Sequence, residues 1–131
     1  MKISPYICAL IIPAAACYAT TEQTDTHHTL AQEIIDLLAE TELVLSTCTD
    51  STSVEAALPR LKELAEQAQS IHSRQLRLPN SSLQEDISIA TLVQDFQLVW
   101  GAICNHIERL EKAGILSNEL RDVLRIAPTT N

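Results

Sequence analysis

Cys48 and Cys104 are the two residues best placed to form a covalent cross-link in this 131-residue chain. The other cysteines, Cys8 and Cys17, lie in an N-terminal segment that we expect to be removed or lipidated. Turns are predicted near residues 50 and 79, and antiparallel helices joined there would bring Cys48 and Cys104 to one end of a bundle. In an oxidising compartment this favours a disulfide between them. Two separate buried thiols, or a metal or redox role, are the alternatives.

The four histidines do not predict a metal or haem site. His72 and His106 lie on apolar helix faces, but the same antiparallel alignment separates them by about 30 Å. Cys104 and His106 stand two apart, without the Cys-x-x-Cys-His spacing of haem attachment. His27-His28 is expected in a solvated linker, where it would hold metal only weakly. We therefore predict no metal site and no cofactor.

No set of side chains predicts catalysis. The sequence has no nucleophile elbow, no glycine-rich phosphate loop and no Glu-x-x-His pair of a di-iron bundle. The spacing of the acidic residues is typical of solvated helix faces, as at Glu33, Asp36, Glu40, Glu108 and Glu111. We predict that the protein is not an enzyme and has no catalytic residue. Phe96 and Trp100, four apart, are expected mainly in the core, with Trp100 a contact residue if it is exposed.

The N-terminus has the order of a secretory signal. Lys2 supplies the positive charge, residues 7–12 form a short apolar core, and Pro13 precedes a run of small residues. Cleavage after residue 16 would leave Cys17 as a lipidated first residue, although Ala14 stands where a lipobox usually has Leu. Cleavage after Ala19 would instead release a soluble product. Both routes predict export to the periplasm, the cell envelope or the exterior.

The composition favours an acidic helical domain. The formal net charge is −8, which disfavours nucleic acid and anionic lipid surfaces as partners. Membrane attachment is expected only through a lipid on Cys17. Two glycines and 46% hydrophobic residues favour packed helices over a turn-rich β fold.

Helical periodicity divides the rest of the chain. Residues 20–29 are polar and predict a flexible tether, and a first helix runs from Leu30 to the polar turn at 47–51. A capping box at Thr52 and Glu55 starts a second helix that Pro59 bends without ending. Ser81-Ser82 caps a third and longest helix, which ends at Gly114.

A short fourth helix is predicted over 117–126, before a disordered tail at 127–131. Short connections make neighbouring long helices antiparallel. The predicted fold is therefore all-α, an up-down antiparallel bundle over residues 30–126 with three long helices and a short C-terminal one.

One segment of the chain resembles a known group of proteins. Residues 50–65, DSTSVEAALPRLKELA, resemble a stretch of small, uncharacterised exported helical proteins of bacteria, in which an acidic-serine turn leads into an Ala-rich helix. The resemblance covers roughly residues 40–76. It implies export and a helical hairpin, and no activity.

These observations favour a non-enzymatic helical module of the bacterial envelope that acts through contacts with another protein. A bundle that binds a small ligand or metal is the alternative.

Overall fold

The computed structural model describes residues 24–125, and it confirms that this part of the chain is all-helical. It contains five helices: α1 His27–Ser46, α2 Ser51–Leu76, α3 Leu83–Ala90, α4 Val93–Lys112 and α5 Asn118–Leu124. The predicted signal, the lipidation site Cys17 and the tail at 127–131 lie outside the described residues.

Helix α1 begins three residues earlier than predicted. Thr26 is its N-cap, and its hydroxyl accepts a hydrogen bond from the Thr29 amide while the Thr29 hydroxyl accepts one from the Thr26 amide. This reciprocal pair satisfies free amides of the first turn. Residues 27–29, predicted to be part of the tether, are therefore helical.

Helix α2 is capped by Asp50, not by the predicted Thr52. The Asp50 carboxylate accepts a hydrogen bond from the Ser53 amide, and the Ser53 hydroxyl accepts one from the Asp50 amide. An aspartate is as good an N-cap as threonine and comes first along the chain. Pro59 lies inside α2, which continues past it to Leu76 as the longest of the five helices.

The predicted third helix is two helices. Between α3 and α4 the axis bends by 48° at Thr91 and Leu92. The Thr91 hydroxyl donates to the Ser88 carbonyl at 2.6 Å, and the Leu92 amide donates to the Ile89 carbonyl at 2.8 Å. Short polar side chains compete for helix carbonyls, and bonds between residues three apart tighten the last turn. The prediction of one continuous third helix was wrong for this reason.

Gly114 ends α4 as predicted. Its φ of +72° is the left-handed conformation that favours glycine, and the Ile115 amide donates to the Leu110 carbonyl. Ser117 then caps α5 through the Leu120 amide.

Helix α1 lies at the centre of the fold. It packs against α2 and α4 along its length and against α3 near its start, while α5 packs on α2. The core is largely leucine, with members from α1, α2, α4 and α5 but none from α3: Leu30, Leu37, Leu45, Cys48, Val54, Ala57, Leu58, Leu61, Leu64, Ile71, Ile103, Leu110 and Leu120. Helix α3 has no buried residue.

Candidate functional site

An apolar groove of about 370 Å³ lies where α1, α3 and α4 meet. Eight of its ten lining side chains are apolar, and the two polar ones are His27 and Gln75. The eight are Leu30, Ala31, Ile34, Ile35, Ile89, Leu92, Val93 and Phe96. Its volume and apolar lining lie within the range of small ligand-binding clefts. We call these ten residues the groove.

An exposed aromatic pair continues the groove along α4. Phe96 and Trp100 are stacked, with ring centroids 6.3 Å apart and planes inclined by 5°. Phe96 is 40% exposed and Trp100 48% exposed. With Val93, which is also exposed, they occupy positions i, i+3 and i+7, so the three lie on one face of α4. We call Val93, Phe96 and Trp100 the ladder.

The prediction that Phe96 and Trp100 lie in the core was wrong. Helix α4 packs mainly on α1. One helix covers only a narrow stripe of another, and in α4 that stripe contains the buried Ile103 and Leu110. The ladder lies beside the stripe. The conditional prediction that an exposed Trp100 would be a contact residue therefore applies.

Cys48 and Cys104 are free thiols in this structure. Cys48 is fully buried and its thiol contacts the Val44 carbonyl at 3.6 Å, whereas Cys104 is exposed. Burial raises the pKa of the Cys48 thiol, so that side chain behaves as a small apolar core residue.

The alignment of α1 and α4 explains why the predicted disulfide is absent. His106 contacts the Glu42 carboxylate at 2.9 Å, and Arg109 donates to the Leu45 carbonyl at 3.1 Å. Both pairs are 64 residues apart, so the two helices run in the same direction and Cys104 is level with residue 40. Eight residues of helix separate that level from Cys48, or about 12 Å. Bridged α-carbons are roughly 4.4 to 6.8 Å apart.

Arg109 closes the C-terminal end of α1. Its guanidinium donates to the carbonyls of Leu45 and Cys48, and a cation at the C-terminal end of a helix also complements the helix dipole. It lies 3.1 Å from His106 Nδ1. Because arginine has no acceptor, Nδ1 accepts and Nε2 donates to Glu42. The cluster thus has its donors and acceptors matched and is structural.

Arg74 joins the start of α1 to the end of α2. Its guanidinium pairs with the carboxylates of Asp25 and Glu33, at 2.6 Å and 2.8 Å. The hydrogen bonds from Arg74 hold the pKa of Asp25 below its ordinary value, and the two carboxylates raise the pKa of Arg74. Nearby, His27 Nε2 lies 2.7 Å from the Pro79 carbonyl. The sequence assigned His27 to a solvated linker and missed this attachment, because the partners lie about 50 residues away.

No group of three or more potential metal ligands occurs within residues 24–125. In the same part of the chain, no single helix is long and apolar enough to cross a bilayer, although the bent pair of α3 and α4 together meets that test of length and composition.

Comparison of the chain with known protein families, with curated proteins and with solved structures finds no match. The resemblance noted for residues 50–65 falls on the N-cap and first turns of α2. The exposed aromatic side chains of the ladder, beside the apolar groove, are the feature of the described residues that most directly indicates binding.

Proposed function

We propose that this protein is a non-enzymatic helical module of the bacterial envelope that acts by binding another protein. The observation that carries the proposal is the exposed ladder beside the groove. Stacked aromatic side chains at a surface supply large contact areas at little entropic cost, and tryptophan is enriched among residues that dominate binding energy. Exposing them to water has no stabilising role in the monomer.

The N-terminal segment supports the location in the envelope. Lys2, the apolar residues 7–12 and the small residues before Cys17 and Thr20 are those of an export signal. We propose that the mature protein begins at a lipidated Cys17 or at Thr20. Its long helices α1, α2 and α4 would form an up-down bundle, with α3 and α5 as short additions.

Capture of a partner from envelope extract tests the proposal. The bait is the protein immobilised through its C-terminus, compared with a Phe96→Ala, Trp100→Ala double variant. The control is Leu98→Ala, because Leu98 is 66% exposed on α4 but lies about 200° around the helix from Phe96. We expect a specific protein to be retained by the parent and the control and lost from the double variant. Equal retention by all three baits would contradict the proposal.

A small apolar ligand is the second candidate, favoured by the volume and lining of the groove. It would show as an organic molecule released on denaturing the purified protein, detected by mass spectrometry. Substituting Ala31→Trp would fill the groove and abolish its retention, while leaving capture of a protein through Trp100 largely intact.

A further inference from the structure

We propose that the groove and the ladder bind a basic amphipathic helix of the partner protein. The inference rests on the proposed function and names the chemistry of the partner. The apolar face of that helix would lie along Val93, Phe96 and Trp100, and its lysines or arginines would meet Glu85 and Asp86 of α3.

The shape of the surface favours a helix over a small molecule. Val93 and Phe96 belong to both the groove and the ladder, so the two form one elongated apolar surface. The ladder alone spans seven residues of helix, or about 10 Å. A small molecule in the groove would leave Trp100 in water. A helix with apolar residues at i, i+3, i+4 and i+7 would cover both.

The charge of α3 and α4 favours a basic occupant. Residues 78–108 contain no lysine or arginine, and Glu85 and Asp86 of α3 lie about one helical turn before the groove residue Ile89. Within the described residues, neither of these two carboxylates pairs with a cationic side chain. Several other acids do: Arg74 neutralises Asp25 and Glu33, and Arg60 neutralises Glu40 and Glu63. An apolar surface among unpaired carboxylates complements an apolar face bordered by cations.

The same charges disfavour two other occupants. A second copy of this chain would bring two sets of unpaired carboxylates together, and like charges across an interface are repulsive. An anionic lipid surface would be repelled for the same reason. The test below can detect both self-association and binding to a lipid surface.

Trp100 provides the signal for the test, since it is the only tryptophan. The probe is an 18-residue helical peptide of leucine and lysine with one apolar face. Its counterpart replaces every lysine by glutamate. Both are titrated into the protein purified from its native host, and Trp100 emission is recorded. We expect the basic peptide to shift the emission to shorter wavelength and the acidic peptide to leave it unchanged.

Two sets of charge variants make the test specific. Removing two surface charges by Glu85→Gln and Asp86→Asn should weaken binding of the basic peptide about fivefold. These amides can keep the hydrogen bonds that Glu85 and Asp86 accept from Ser82 and Ser81. The matched control removes two unpaired acids of α2, by Glu55→Gln and Glu66→Gln, and should change binding less than about twofold.

Apolar variants of α4 provide the second criterion. Phe96→Ala should weaken the peptide about tenfold and Leu98→Ala should not, with circular dichroism confirming that both remain helical. Equal losses in the two double charge variants would overturn the proposal, because binding would then follow net charge alone. Binding of the acidic peptide as tightly as the basic one would also overturn it. So would a shift of Trp100 emission with phosphatidylcholine vesicles but not with the basic peptide. A shift of Trp100 emission that came only from self-association of this chain would overturn it as well. Loss of extract capture with intact peptide binding would instead count against the proposed function only.

Discussion

The fold buries the Cys48 thiol, and burial lowers its reactivity. The side chain is wholly buried beside the end of α1, and its backbone carbonyl holds Arg109. Cys104, in contrast, is exposed on α4. The difference depends on the alignment of two helices more than 40 residues apart in sequence. Capping signals at the turns could not fix that alignment, because residues 83–92 form a separate helix and turn instead of lengthening α4.

We therefore expect two free thiols with different reactivities in protein that lacks Cys8 and Cys17. In the native state a thiol reagent should modify Cys104 quickly and Cys48 only after unfolding, because burial both shields Cys48 and raises its thiol pKa. Reagent titration before and after denaturation, without reductant, measures this. A count of no thiols after denaturation would show that the disulfide forms.

The Arg74 pairs are expected to make stability depend on pH in the acidic range. Because the pKa of Asp25 is lowered in the fold, its contribution is present above the unfolded value near 3.9 and is lost as pH falls through the folded value. At pH 7, Asp25→Asn should lower the free energy of unfolding by up to about 1 kcal/mol, since the pair is partly exposed.

Urea unfolding of parent and variant at pH 7 and below pH 3 would check this prediction. The difference between the two proteins should shrink at the lower pH. Asp122→Asn serves as the control, with little effect at either pH. A difference for Asp25→Asn that is as large in acid as at pH 7 would argue against the ion pair.

The sequence predicted which segments are helical better than it predicted the residues at which each helix begins and ends. The caps at Ser82 and Gly114 and the passage of α2 through Pro59 followed from the chemistry of those residues. The cap of α2 was displaced because Asp50, Thr52 and Ser53 are all competent caps. The break at Thr91 was missed because the apolar period continues through it, and the bonds between residues three apart that form the turn are not visible in the sequence.

The identity of the α2 cap gives a direct prediction. Asp50→Ala should lower the free energy of unfolding by about 1 kcal/mol, because it leaves the Ser53 amide without its acceptor. Thr52→Ala, two residues on, should change it by less than about 0.5 kcal/mol. Denaturant unfolding of the two variants distinguishes them. A larger loss for Thr52→Ala would place the cap where the sequence alone predicted it.

For the whole molecule, the central position of α1 leaves the ladder of α4 and the apolar residues of α3 exposed. Helix α3 contributes nothing to the buried core, and Leu83 and Ile87 are among the exposed large side chains. Sequence periodicity identified Phe96 and Trp100 as apolar helix positions but could not show which neighbours cover them. Sequence periodicity could not predict the groove either, because the groove is lined by residues of four separate helices.

Site-specific photo-crosslinking in the native host tests most directly whether this surface binds another protein. A photoreactive phenylalanine analogue is placed at Phe96 in one strain and at Leu98 in another, so that the two probes lie on opposite sides of α4. We predict one discrete adduct with a different protein from position 96 and none from position 98. No adduct from position 96, the same adduct from both positions, or an adduct containing two copies of this chain would contradict the account.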